Sequence, residues 1–251
     1  KEELSRPVSV ILKTDQLEVR VGITEEKGHL EVRKAGELFF QASFKIKQIF
    51  DQGPNPGLFL SPNQRYIAFA LRIERGEEGT ILEMPGSVQH AVGFLCDTRI
   101  KVWDLEAKKL IRTFSHHNQI ISIIFSRDSR WLITAGFTVR IWDIVSGECL
   151  QKYNQHKQYT KAVALTSNKK FLVILDGANS LWIWDTQQRT CVYKIKKLDE
   201  SFTRLQFSQD DRHLIAFTED DSKFSFALNQ NQDQISLQLT NRSQNKTFYQ
   251  V

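Results

Sequence analysis

Short runs of alternating hydrophobic and polar residues recur in the second half of the chain, and three of them end in the dipeptide Trp-Asp. The pairs are Trp103-Asp104, Trp142-Asp143 and Trp184-Asp185, which lie 39 and 42 residues apart. Alternation with a period of two predicts half-buried strands. A polar turn and a further short apolar run follow each pair, as in Ser146–Glu148 before Cys149-Leu150. The pattern therefore predicts a β-hairpin at a constant position in each segment.

A second unit recurs at the same spacing, ahead of the hairpins. An apolar residue, Phe125, Leu165 or Phe207, is followed by a turn rich in Ser, Thr, Asn and Asp, and then by another apolar run. These three anchor positions lie 40 and 42 residues apart. Because Ser, Asn and Asp favour turn conformations, each unit is predicted to be strand, turn and strand. Together with a hairpin it gives four short strands in about 40 residues.

A unit of this length resembles one blade of the WD-repeat (WD40) β-propeller family, in which each blade is a four-stranded antiparallel sheet. The resemblance is carried by the three Trp-Asp pairs and the turns in register with them, and it is clearest over residues 98–226. It implies an all-β fold whose blades bury their faces against neighbouring blades. It also implies a non-catalytic scaffold that binds other proteins in a multiprotein complex.

Weaker copies of the pattern extend the array in both directions. Phe226-Ala227 falls 42 residues after Trp184, and Leu60–Ile67 reproduces the strand-turn-strand unit upstream. Counted with these copies, the chain shows five or six blades. Seven is the family's usual number, and the chain begins without an initiator Met. We therefore expect either a small or irregular ring, or a ring completed by sequence outside this chain.

The repeat predicts one domain. We expect a WD-repeat-like propeller over residues 1–240, with degenerate N-terminal blades in 7–90. Residues 241–251 are predicted to be a polar tail or the start of a further blade.

Residues 68–97 interrupt the period. The interval from Tyr66 to Trp103 is 37 residues, whereas the corresponding interval in the next blade is 11. Either one blade carries a long insertion, or strands on both sides of a Gly76–Gly79 turn complete one blade and Ala91–Phe114 belongs to another. The apolar runs on both sides of the Gly76–Gly79 turn favour the second arrangement.

The resemblance further implies a hydrogen-bonded set of His, Ser or Thr, Asp and Trp within a blade. His116 and His156 each precede an anchor residue by nine positions, Thr134 takes the hydroxyl position, and Asp97 lies six residues before Trp103. The structural repeat positions are Asp97, Trp103, Asp104, His116, Thr134, Trp142, Asp143, His156, Trp184 and Asp185. In the blade of Trp184, Ile174 and Ala178 occupy the hydroxyl and Asp positions. Since no blade has the whole set, we expect apolar stacking to hold the blades together.

The composition is that of a soluble globular chain, with 41% hydrophobic and 25% charged residues, and it excludes disordered and collagen-like classes. No apolar run reaches the length that a membrane span needs, so no membrane insertion is expected. Cys96, Cys149 and Cys191 are widely spaced without a Cys-x-x-Cys motif, which favours neither disulfides nor zinc. We expect an intracellular protein of the cytoplasm or nucleus.

Catalytic chemistry is not predicted. His116-His117 is the strongest candidate for a base or metal pair, but adjacent residues of a strand point to opposite faces. No acidic or cysteine ligand lies at metal-ligand spacing, and no phosphate loop, HExxH or GxSxG motif occurs. The sequence therefore predicts no catalytic residue, no metal site and no cofactor.

Positive charge marks the candidate partner-binding surface. The chain carries a net charge of +5, and residues 99–170 hold 13 basic and 5 acidic side chains. Lys108, Lys109, Lys169 and Lys170 fall in predicted turns, where we expect them to face an acidic surface of another protein subunit. The alternative is a nucleic-acid-associated propeller of a ribonucleoprotein, because phosphate binding also needs clustered cations. It is not favoured, since the repeat-locked aromatic residues are predicted to be core and unable to stack on bases.

Overall fold

The computed structural model describes residues 8–23, 27–45, 57–74, 96–117, 119–155, 158–231 and 234–243. All regular elements in these ranges are β-strands, and they form five antiparallel sheets of four strands each. In each sheet the strands lie side by side in chain order. The predicted fold class, an all-β propeller built from four-stranded blades, is confirmed.

We number the sheets as blades 1 to 5. Blade 1 comprises β1 (Val8–Lys13), β2 (Leu17–Ile23), β3 (Lys27–Lys34) and β4 (Glu37–Lys45). Blade 2 comprises β5 (Leu58–Leu60), β6 (Tyr66–Glu74), β7 (Cys96–Asp104) and β8 (Lys109–His117). Blade 3 comprises β9 (Ile120–Phe125), β10 (Trp131–Gly136), β11 (Val139–Asp143) and β12 (Cys149–Tyr153). Blade 4 comprises β13 (Thr160–Leu165), β14 (Phe171–Asp176), β15 (Leu181–Asp185) and β16 (Thr190–Ile195). Blade 5 comprises β17 (Phe202–Phe207), β18 (His213–Thr218), β19 (Lys223–Asn231) and β20 (Gln234–Ser243).

Two compact units, residues 1–120 and 121–251, make up the chain. Blades 1 and 2 belong to the first unit, where Val19 and Val32 of blade 1 share a buried cluster with Ile67 and Trp103 of blade 2. Blades 3 to 5 belong to the second unit, apart from the first residue of β9.

The second unit is built around β14, whose six residues are all buried. Leu172 and Ile174 pack in a cluster with blade 3 residues, whereas Phe171, Val173 and Leu175 pack with blade 5 residues. Since side chains of a strand alternate between faces, one strand serves both clusters. This explains why its sequence is a continuous apolar run instead of an alternating one.

The arrangement that the sequence favoured for residues 68–97 is wrong. β6 pairs directly with β7 in an unbroken register from Tyr66↔Asp104 to Glu74↔Cys96. Both strands therefore belong to one blade, and the surplus residues form a long insertion between them. Residues 75–95, including the Gly76–Gly79 turn, lie outside the described residues.

The expected boundary at residue 241 also falls inside an element. β20 continues to Ser243 and pairs with β19 throughout, with Lys223 opposite Ser243 and Asn231 opposite Gln234. Residues 244–251 lie outside the described residues.

The hydrogen bond of the Trp142 indole gives a stability prediction. Trp142 Nε1 donates to Thr134 Oγ1 at 2.9 Å, and both groups are buried. Thr134→Val keeps the side-chain volume but leaves the buried N–H without its acceptor. We expect the free energy of unfolding in urea to fall by about 1–3 kcal/mol.

Thr134→Ser is the matched control, because it keeps the acceptor and removes one methyl group. If Thr134→Ser destabilises the chain as much as Thr134→Val does, the hydrogen bond is not the source of the loss.

Candidate functional site

A recurrent turn joins the first and second strands of blades 2 to 5. Its five residues are 61–65, 126–130, 166–170 and 208–212, and the first is always Ser or Thr. In blade 3 the Ser126 hydroxyl donates to Asp128 Oδ1 at 2.6 Å and accepts from the Trp131 N–H at 2.8 Å. The other three blades repeat both bonds. The turn is therefore closed by its own side chains, and we call it the hydroxyl turn.

The fourth residue of every hydroxyl turn has a left-handed backbone. The φ values are 57° at Gln64, 58° at Ser129, 62° at Lys169 and 58° at Asp211. Non-glycine residues rarely adopt this conformation, so the closing hydrogen bonds must offset its cost.

The fifth residue of the hydroxyl turn is basic, and in two blades it meets the Asp of the Trp-Asp pair. Arg65 Nη2 lies 2.8 Å from Asp104 Oδ2 in blade 2, and Arg130 Nε lies 3.0 Å from Asp143 Oδ2 in blade 3. The other carboxylate oxygen accepts two backbone N–H groups of the turn between the third and fourth strands; for Asp143 these belong to Val145 and Ser146, both at 2.9 Å. One carboxylate thus holds two turns, an arrangement that we call the carboxylate clamp.

The clamp determines the charge of the buried Asp104 and Asp143. Burial alone would raise the pKa of Asp104, but the hydrogen bonds from Arg65 and from the N–H groups of Ala107 and Glu106 outweigh it, so the pKa lies below its ordinary value. Burial of Asp143 is outweighed in the same way by the Ser146 N–H, Arg130 and the Val145 N–H. Both carboxylates are therefore charged at neutral pH.

Blades 4 and 5 have weaker forms of the clamp. Asp185 Oδ1 accepts the N–H groups of Gln187 and Gln188, each at 2.8 Å, but within the described ranges no ion pair joins Asp185 to Lys170. The Lys170 ammonium instead lies 5.0 Å from the centre of the Phe171 ring. In blade 5, Ala227 occupies the Asp position opposite His213.

The hydroxyl turns of blades 3, 4 and 5 contact one another. Lys169 Nζ lies 2.6 Å from Asp128 Oδ2, which joins the turns of blades 4 and 3. Ser167 donates its N–H at 2.8 Å and its hydroxyl to Asp211 Oδ2, which joins blades 4 and 5. Arg127 Nη1 donates to the carbonyl of Gln209 at 2.9 Å, which joins blades 3 and 5. We call residues 126–130, 166–170 and 208–212 the turn cluster.

The four lysines predicted to bind partners lie in or directly after two kinds of turn. Lys169 and Lys170 belong to the turn cluster, and the Lys169 ammonium is held both by Asp128 and over the Trp131 ring, 4.6 Å from its centre. Lys108 belongs to the other unit and to the turn between the third and fourth strands of blade 2, and Lys109 is the first residue of β8, directly after that turn. Lys108 has a left-handed φ of 52°, and its ammonium lies 4.4 Å from the centre of the Phe39 ring.

The structural repeat positions are only partly brought together. Thr134 and Trp142 are bonded as described above, and Trp103 is buried 5.7 Å from the Phe40 ring centre. His116 is buried in β8, opposite Thr98. His156 and the Asp97 side chain lie outside what the structure describes. The buried Trp184 indole N–H has no hydrogen-bond partner in the described part of the chain, since Ile174 replaces the hydroxyl.

Sequence reasoning missed the buried Asp176. Its Oδ2 accepts the Trp182 indole N–H at 2.9 Å and its Oδ1 accepts the Ser180 N–H at 2.8 Å. The available signal was the spacing: Asp176 lies six residues before Trp182, just as Asp97 lies six before Trp103.

Among the described residues no group of three or more His, Cys, Asp or Glu side chains is placed to hold a metal ion. The same residues contain no helix long and apolar enough to cross a membrane.

Acid should weaken the clamp. Because Asp104 and Asp143 have a lower pKa when folded than when unfolded, their stabilising contribution is present above about pH 4 and is lost as the pH falls through the folded values. We expect the free energy of unfolding of the parent chain to decrease with acidification in this range. Asp143→Asn should lower stability at pH 7 and show a shallower acid dependence.

The control is Asp199→Asn, which changes an exposed carboxylate outside the clamp. An equally shallow acid dependence in both variants, measured by urea unfolding at each pH, would contradict the role of Asp143.

Comparison with known families and proteins agrees with the architecture. The family model described as WD domain, G-beta repeat, matches residues 108–143, which run from the turn of blade 2 to the Asp143 clamp. THO complex subunit 6 of Arabidopsis thaliana is 31% identical over 117 residues, 44% of this chain and 31% of that protein.

Two further relatives carry WD repeats in their names. WD repeat-containing protein 36 of Homo sapiens is 48% identical over 59 residues, 22% of this chain and 6% of that protein. WD repeat-containing protein 55 homolog of Drosophila simulans is 23% identical over 127 residues, 49% of this chain and 26% of that protein. The chain spans less than a third of the length of each of these three relatives. With the repeated four-stranded blades, these matches confirm the resemblance of the chain to the WD-repeat family.

Proposed function

We propose that the chain is a non-catalytic platform that holds other protein subunits in a multiprotein complex inside the cell. The turn cluster is the observation that carries the proposal. Turns from three blades meet there and are bonded to one another. They form one composite surface, and fixed loops on a rigid scaffold are where binding residues concentrate.

Rigidity supports this role. The clamp and the closing hydroxyl bonds fix both turns at the same end of a blade. A surface that is already ordered loses little conformational entropy when a partner binds. The name of one relative, THO complex subunit 6, describes a complex subunit and agrees with a role of this kind.

Positive charge supports an acidic partner. Lys109 is exposed, and Lys108 and Lys170 make ring contacts but no ion pair with another described residue. We propose that Lys108 and Lys109 in the first unit, and Lys169 and Lys170 in the second, each meet acidic side chains of partner subunits. Charge complementarity of this type sets partner choice and the rate of association.

Burial of the aromatic residues weighs against the nucleic-acid alternative. Trp103, Trp142 and Trp184 are between 2% and 8% exposed, so their faces are not available to stack on bases.

Affinity purification of the tagged chain with mass spectrometry tests the proposal. We expect protein subunits to be recovered after nuclease treatment, and their recovery to fall in a Lys108→Glu, Lys109→Glu, Lys170→Glu triple variant. Lys169 is left unchanged because its replacement would break the ion pair with Asp128. Lys223→Glu, which reverses an exposed charge in β19, should leave recovery unchanged.

Two outcomes would contradict the proposal. Release of all partners by nuclease treatment would favour the ribonucleoprotein alternative, in which the lysines contact phosphates. Unchanged recovery with the triple variant would remove these lysines from the interface.

A further inference from the structure

A polar groove follows the junction between blades 3 and 4. It consists of two adjoining depressions of about 260 and 380 Å³ that share Gln151 and Arg189. The first also includes the rest of β12, and the second reaches Asn168 and Lys169 of the turn cluster. We call the two together the seam groove.

Hydrogen bonds fix the floor of the seam groove. Gln151 Nε2 donates to the carbonyl of Thr186 at 2.5 Å, and Gln151 Oε1 accepts from the Tyr153 hydroxyl. The Thr186 hydroxyl in turn donates to the carbonyl of Lys169 at 2.5 Å. This chain of bonds runs from the fourth strand of blade 3 to both turns of blade 4, so the groove is formed before any ligand arrives.

Arg189 and Asn168 present hydrogen-bond donors to the seam groove. Arg189 is exposed and makes no ion pair within the described ranges. The Asn168 carbonyl oxygen accepts from the Thr166 hydroxyl at 2.8 Å and from the Lys170 N–H at 2.9 Å, which leaves its NH₂ group to bind a ligand. No described Asp or Glu lines either depression. Asp128 is paired with Lys169, and Asp185, which lies between the lining residues Trp184 and Thr186, accepts the N–H groups of Gln187 and Gln188.

This combination is specific to blade 4 within the second unit. The position of Asn168 is an acidic residue in the hydroxyl turns of blades 3 and 5, namely Asp128 and Asp210. The position of Arg189 is Gly147 in blade 3. At the Asn168 position, blades 3 and 5 therefore have a carboxylate, which accepts hydrogen bonds. At the Arg189 position, blade 3 has no side chain, whereas blade 4 has donors at both positions.

We propose that the seam groove binds an extended, carboxylate-rich segment of a partner protein, with Arg189 as its main anchor. The proposal rests on the function proposed above and names one site and one class of partner for it. A guanidinium can hold a carboxylate through two parallel hydrogen bonds, and the neighbouring Asn168 amide can donate to the next acceptor. The side chains of Glu and Asp are the protein groups that supply acceptors and negative charge together.

The aromatic residues of the groove favour a peptide over a nucleic acid. Tyr153 and Trp184 are 4% and 2% exposed, and Lys169 covers the Trp131 ring. These three residues therefore offer no open ring face to a base. Proteins that bind single-stranded nucleic acids gain much of their affinity from such stacking.

The backbone at Arg189 allows a variant that removes the charge without harming the fold. Arg189 has a left-handed φ of 58°, which glycine adopts without strain, so Arg189→Gly should fold as well as the parent chain. Lys197→Gly is the matched control, because Lys197 is an exposed cation just after β16 of the same blade, has a left-handed φ of 57° and does not line the groove. Both variants lose one positive charge at a left-handed position.

The probe is a fluorescein-labelled peptide of alternating Glu and Ser, compared with the same peptide carrying Gln in place of Glu. By fluorescence anisotropy we expect the Glu peptide to bind more tightly than the Gln peptide, and Arg189→Gly to weaken it about tenfold, the scale of one charge-assisted hydrogen bond. Lys197→Gly should bind like the parent chain, and urea unfolding should show both variants folded.

Equal weakening by both glycine variants, or equal binding of the two peptides, would overturn the seam groove proposal. Tighter binding of oligouridylate that displaces the Glu peptide would also overturn it in favour of nucleic acid. Failure of the seam groove proposal is distinguishable from failure of the platform role. If Arg189→Gly has no effect on peptide binding, partner subunits could still be recovered by affinity purification through the turn cluster.

Discussion

The carboxylate at the end of the third strand is the interaction on which the organisation of a blade depends. In blades 2, 3 and 4 it accepts two backbone N–H groups of the following turn, and in blades 2 and 3 it also pairs with the basic residue of the hydroxyl turn. A carboxylate with so little exposure is costly unless every lone pair finds a donor. These donors are in place only when both turns are formed. The buried carboxylate therefore favours a single conformation of the two turns.

This constraint explains where side chains remain available for binding. The two turns at the clamped end are tightly specified, with left-handed residues at Lys108 and Arg189 next to the clamp and at Lys169 within the hydroxyl turn. Side chains at such positions leave the backbone in directions that the clamp determines. The blade core supplies the stability, and the same hydrogen bonds that satisfy the buried carboxylate also orient the exposed cations.

Much of this architecture could be predicted from sequence because it is periodic. The Trp-Asp pairs and hydroxyl turns recur at a spacing that only stacked blades explain, and four of the five blades carry the turn in readable form. The long insertion between β6 and β7 was the less favoured of two alternatives, because apolar runs near Gly76–Gly79 obey the same alternation as a blade strand. β6 and β7 pair with each other, for example Tyr66 with Asp104, although 21 undescribed residues separate the two strands. A local sequence pattern does not show which strand a given strand pairs with.

The candidate site was harder to predict, for a related physical reason. Sequence shows that Lys169 and Lys170 are charged, but not that Lys169 is paired with Asp128, 41 residues away, or that Lys170 lies over Phe171. Arg189 drew no attention because it is an isolated cation in a turn. Its importance comes from what surrounds it after folding: a fixed floor at Gln151, a donor at Asn168 and no lining carboxylate. A cluster of like charges in sequence is therefore a poor guide to a binding surface when the fold supplies counter-ions to some members. The cation that the fold leaves without a carboxylate, in a preformed groove, is the one that can gain most from a ligand.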